Sequence, residues 1–231
     1  MLLRDSARYL ILAERWHETG EYIQIIKEGV IVPPLPIFCV VKLMSCGFSA
    51  EVAGRSINLF LGAMITDLGY QIAHKAFKDK LLSAFTALLL IFHPILISYS
   101  IQPLRENCYL FFLGLAILET ISGIKEKKIQ NWGMCGVYLS FGLFCRYEAA
   151  EMLVICSSIL VFLFYKKVID LRKLACLLGV FLITNIATTS LLLSVTNYDI
   201  SFLTKVSKYS DKIIQQTNVR DFIQNDPQSG E

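Results

Sequence analysis

The sequence predicts an all-α protein, a polytopic integral membrane helical bundle with amphipathic juxtamembrane helices at its edge. Three observations predict it. Apolar residues make up 55% of the chain, and the mean hydropathy is +0.54. Only 18% of residues are charged, against about a quarter in ordinary soluble domains. The apolar residues also gather into runs of about 17 to 25, the length that crosses a hydrocarbon core about 30 Å thick.

Composition excludes several classes of function. The net charge is +3, and the basic residues lie in short clusters between apolar runs and not on one face, so no nucleic-acid partner is expected. The seven cysteines show neither CxxC pairing nor Cys/His ligand spacing. Cys108, Cys135, Cys145, Cys156 and Cys176 fall inside apolar runs, where cysteine acts as a small hydrophobe, so neither a disulfide nor a metal is to be inferred from the sequence. Leu2-Leu3 ahead of Arg4 is too short for the apolar core of a secretory signal.

Three regions are expected: an outer loop with juxtamembrane helices over 1–54, a bundle of about six spans over 55–196, and a polar outward tail over 197–231. Residues 5–28 read as one or two amphipathic helices. Tyr9, Leu12, Ala13 and Trp16 share one face, Gly20 is a stop, and Tyr22 to Ile26 make a second short apolar face. Pro33-Pro34-Leu35-Pro36 breaks the chain and opens a short helix from Ile37 to Cys46. That helix is too short to cross and should be re-entrant or lie against the bundle. Ser49 with Glu51 reads as the cap region of the first span.

Spans are expected near 55–74, 81–101, 107–124, 132–147, 149–165 and 173–195. Pro94 should kink the second. Gly133, Gly136 and Gly142 should let the fourth approach a neighbour closely. Asp67 lies inside the first span, where an ionisable group is a functional or interhelical residue by default, with Asn107 or Glu119 as possible partners. The tail carries a possible helix over 201–216 and a disordered end.

Lys and Arg counts orient the bundle. Lys75, Lys78 and Lys80 follow the first span, Lys125, Lys127 and Lys128 the third, and Lys166, Lys167, Arg172 and Lys173 the fifth. The alternate loops hold only Arg105 and Arg146. The positive-inside rule puts the first set in the cytoplasm. The N-terminal segment, the Arg105 loop, the Arg146 corner and the tail then face outward together.

Those outward loops carry the acids and bases. Asp5 stands in the first, Arg105-Glu106 in the second, Arg146-Tyr147-Glu148 in the third. An acid at the membrane edge suits transfer from a lipid-carried donor to a water-borne acceptor. Such a transfer needs a base near the acceptor hydroxyl and cations near a departing phosphate. Asp5 fits the base, and Arg105 or Arg146 the phosphate, whose oxygens match a guanidinium fork. The same residues also suit ion pairs that pin loops at the interface. A transporter would instead place its ionisable groups at mid-membrane, where only Asp67 and His93 fall.

Four stretches occur in an order similar to a known family. They are Arg4-Asp5-Ser6-Ala7-Arg8-Tyr9 with Ala13 and Gly20; Pro33-Pro34-Leu35-Pro36; His93-Pro94 with Arg105-Glu106; and Gly142-Leu143-Phe144-Cys145-Arg146-Tyr147-Glu148. Over roughly residues 4–195 the chain resembles membrane glycosyltransferases of the type C fold. These are the relatives of dolichyl-phosphate-mannose-protein mannosyltransferases and lipid A aminoarabinose transferases.

The resemblance implies transfer of a sugar from a polyprenyl-phosphate donor to a protein, lipid or glycan, at the outer face of a bacterial inner membrane. It implies Asp5 as the catalytic acid of the first outer loop. Arg4, Tyr9, Arg105, Glu106, Arg146 and Glu148 are the substrate-binding candidates beside it. No cofactor is expected beyond the lipid-linked sugar donor as substrate, and the metal requirement is left open. The chain departs from the family in having Ser6 where many members carry a second acid. It should also correspond to the portion after the family's first transmembrane helix, without the C-terminal part. The rival expectation is a non-catalytic scaffold, a transporter-like subunit or an inactive fragment.

Overall fold

The computed structural model describes residues 4–20, 33–126 and 128–196. The second short apolar face at Tyr22–Ile26, Lys127 and the whole tail, including the expected 201–216 helix, lie outside the described residues. Those described form an all-α membrane protein: α1 (Arg4–Thr19), α2 (Pro34–Met44), α3 (Ala50–Phe77), α4 (Lys80–Ile91), α5 (Pro94–Ile101), α6 (Glu106–Glu126), α7 (Ile129–Leu143), α8 (Ala149–Tyr165) and α9 (Leu171–Thr196).

The amphipathic start folds as its periodicity dictates. Leu12, Ala13 and Trp16 are buried, half-buried Tyr9 packs beside them, and the face beds on Ile37 and Val40 of α2 and Ala53 of α3. Trp16 meets Phe38 with ring centroids 5.7 Å apart. Proline opens α2, as expected, and Gly47 follows its end at φ +96°, which glycine adopts without a Cβ clash. The short helix lies against the bundle, contacting α1, α3 and α9.

Ser49 caps α3, its Oγ accepting from the Val52 amide at 3.4 Å. The helix therefore begins ahead of the expected span, and an Arg55–Glu51 pair at 2.6 Å lies along its first turns. Asp79 caps α4 through the amides of Leu81 and Leu82. The expected second span is two helices bent by 57° at His93-Pro94, because proline removes a donor and cannot continue the helix above it.

The core runs from α3 across α6 and α7 to α9, with α4 and α5 on the outside of α3 and α8 against α7 and α9. Close approach of α7 and α9 depends on Gly136, where an added Cβ would lie 2.5 Å from the Phe181 carbonyl oxygen. Beside it Asn185 Nδ2 donates to the Gly136 carbonyl at 3.2 Å and to Ser140 Oγ at 2.8 Å. A polar clasp of this kind holds helices together where no water is present to compete.

Among the described residues, α6 and α9 are each long and apolar enough to cross a membrane, and the bent α4–α5 pair passes together. The 28-residue α3 is longer still but carries Arg55 and Asp67. All six segments expected as spans are helical. The fourth ends at Leu143, earlier than expected, and residues 144–148 form a turn that places Arg146 outside the helix.

Candidate functional site

The site is built where the first turns of α1 and α2 meet the α5–α6 and α7–α8 connections. Asp5 lies in the first turn of α1, with its Oδ1 3.7 Å from Arg8 Nη1 and its side chain well exposed, at 68%. Arg4 opens the same helix, and its side chain lies outside what the structure describes. One turn on, Tyr9 turns inward against Leu10, Pro36, Ile57, Asn58, Leu104 and Arg105, around a cavity of about 20 Å³. Burial is the main reason its phenol is pushed up to about 12. The charges of Arg105, Glu106, Asp5 and Arg146 all bear on it as well, so Tyr9 marks where the first loop meets the other two.

Glu106, the first residue of α6, stands between two guanidinium groups. Its Oε1 lies 3.8 Å from Arg105 Nε and 4.0 Å from Arg146 Nη1. Arg146 also pairs with Glu148 through Nε and Oε1 at 2.9 Å, and its guanidinium lies 5.9 Å from the centre of the Tyr109 ring. Partial burial works against the charge on Arg146, but Glu148, Glu106 and Tyr109 more than offset it and hold the group cationic. Partial burial likewise raises the Glu148 carboxyl. A backbone hydrogen bond together with Arg146 and Arg105 outweighs it and draws the group below its ordinary range.

A backbone joint fixes this corner. The Leu35 amide, in the first turn of α2, donates to the Phe144 carbonyl just past α7, at 3.1 Å. An orphan donor at a helix start meets an orphan acceptor at a helix end, so each satisfies the other. Leu35, Phe144, Cys145, Cys108, Leu61 and Leu192 pack together beneath.

The structure thus brings Tyr9, Arg105, Glu106, Arg146 and Glu148 to one place, with Asp5 one turn from Tyr9. Ser6, Gln102 and Tyr109 take roles here that the sequence did not assign them. Ser6 is fully buried and donates to Gln102 Oε1 at 3.2 Å, tying α1 to the loop before α6. Tyr109 faces Arg146 only because α6 and α7 pack side by side.

Elsewhere, Asp67 accepts a 2.6 Å bond from Gln71 of its own helix, not from Asn107 or Glu119. Asn107 instead donates to the Asn58 carbonyl and to Ser100 Oγ. At the other end of the bundle Lys75 pairs with Glu126, and Lys125 Nζ caps the last carbonyls of α3 at Lys75 and Ala76. Among the described residues no group of three or more His, Cys, Asp or Glu stands at metal-ligating distance.

An all-α bundle of apolar helices with a charged cluster at one end of its helices defines an integral membrane protein with its polar site at the bundle's end. The family model of dolichyl-phosphate-mannose-protein mannosyltransferases matches residues 32–193. The chain belongs to that family and is a membrane glycosyltransferase. The match takes in Pro33 to Pro36, Arg105, Glu106, Arg146 and Glu148, while Arg4, Asp5 and Tyr9 precede it. No curated protein and no solved structure matches the chain.

Proposed function

We propose that this glycosyltransferase moves a sugar from a polyprenyl-phosphate donor to a protein, lipid or glycan acceptor at the outer face of the membrane. The observation that carries the reading is the convergence of Arg105, Glu106 and Arg146 on Tyr9, one turn from Asp5, with Glu148 paired to Arg146. A lipid-borne donor presents its phosphate at the depth where helices end, and this cluster joins the ends of α5 and α7 to the starts of α6 and α8.

In the proposed reaction the acceptor oxygen attacks the anomeric carbon as the bond from that carbon to the phosphate oxygen breaks. Asp5 takes the acceptor proton. The electron pair leaves with the polyprenyl phosphate, whose growing charge Arg105 and Arg146 stabilise. A single displacement inverts the anomeric configuration. Exposed Asp5 is open to an acceptor from water, while the arginines are drawn in by Glu106. The positive-inside count supports the outward face, and the meeting of Lys75, Lys125, Glu126 and Lys128 at the opposite end fits it.

The test is sugar transfer in membranes from a radiolabelled polyprenyl-phosphate sugar pool, comparing wild type with Asp5→Asn at equal expression. A loss of about a hundredfold or more supports Asp5 as base. Equal activity removes Asp5 from that role. Absence of transfer by wild type from that pool overturns the polyprenyl-phosphate donor.

A further inference from the structure

We propose that Cys108 and Cys145 are joined by a disulfide that staples the first turn of α6 to the Arg146 corner. Their Sγ atoms stand 3.1 Å apart, about 1 Å beyond the bonded separation of about 2.05 Å. Both side chains are buried, within one packed cluster. Cys108 follows Glu106 by two residues, and Cys145 immediately precedes Arg146. The bond would hold the two carriers of the Glu106–Arg146 pair at fixed spacing.

A second thiol pair shows what singles this one out. Cys135 and Cys156 are 3.9 Å apart, and both contact Thr120 Oγ1 in the interior of α7 and α8. Cys145 instead lies past the end of α7, in the turn. The inference rests on the outward orientation proposed above, because disulfides persist in oxidising compartments outside the cytosol. The two thiols give up two protons and two electrons as the Sγ–Sγ bond forms. A disulfide-bearing oxidant of the outer compartment accepts them, its own disulfide being reduced to two thiols. Burial of the pair means that the exchange takes place while the chain folds and that the finished bond is shielded from reductant.

Membranes holding the full chain are denatured in an alkylating maleimide, then reduced and treated with a maleimide carrying a polymer mass tag. Two tags per chain are expected, none in Cys108→Ala or Cys145→Ala, and two in Cys39→Ala, Cys135→Ala and Cys156→Ala. Absence of tags in wild type, or tags that survive Cys108→Ala, overturns the disulfide. Should the alanine variants not accumulate, mass spectrometry of unreduced wild type decides, through the presence or absence of the Cys108–Cys145 linked peptide. Orientation is read separately, by an impermeant maleimide on intact cells carrying Glu148→Cys in an otherwise cysteine-free background, since Cys46 and Cys176 are exposed. Labelled cells with a reduced wild-type pair overturn the disulfide alone. Shielded cells with a reduced pair overturn both.

Discussion

Each residue of the cluster has a separable expected effect. Arg146 reaches Glu106 and Glu148 with different nitrogens of one planar group, a geometry a lysine ammonium cannot copy. Arg146→Lys should therefore raise the KM for the lipid-linked donor by about tenfold or more, the scale of one charge-assisted hydrogen bond. Donor titration in the transfer assay measures it. Glu148, with its carboxyl held below the usual range, contributes stability that is present above the unfolded value of about 4.3 and lost as pH falls through the lower folded value. Wild type should thus exceed Glu148→Gln in unfolding temperature near neutral pH, and the gap should close in acid. Scans of both proteins in detergent across that range check the sign. Ser6→Ala removes the buried tie to Gln102 and should cost about 1 kcal/mol, visible in the same scans.

At the scale of the element, α7 is constrained by the backbone of α9 at Gly136. Gly136→Ala would drive a methyl toward the Phe181 backbone, which cannot rotate aside as a side chain can. Overpacking of this kind destabilises by about 1–3 kcal/mol, and a lowered unfolding temperature should report it. Much of this element level was legible in the sequence. The shared face of Leu12, Ala13 and Trp16, the Ser49 cap and the break at Pro94 all follow from local rules, since each depends on neighbours within a turn or two. Ion pairs Arg105–Glu106 and Arg146–Glu148 are local too. The Glu106–Arg146 contact, the Ser6–Gln102 bond and the adjacency of Cys108 and Cys145 are not, because they exist only once α6 lies beside α7 and α1 beside the α5–α6 loop. The end of α7 was misplaced for a related reason. Its apolar run continues through Phe144 and Cys145, and nothing local marks the turn that buries them.

For the whole molecule, charge separates along the bundle. Arginines with carboxylates collect at one end, lysines around Glu126 at the other. The hydropathy pattern made the helical bundle legible, whereas the partner of Asp67 was not: among the described residues it bonds Gln71 on its own helix.

The joint between Leu35 and Phe144 has a further consequence. Main-chain atoms make it, so exchanging either side chain leaves it standing, and only proline at position 35 would remove the donor. The bond thus sets the backbone of the corner, while the buried Leu35 and Phe144 side chains fill the core beneath it. Leu35→Pro should therefore lower the unfolding temperature well beyond Leu35→Met, which keeps the donor and nearly the same packing volume.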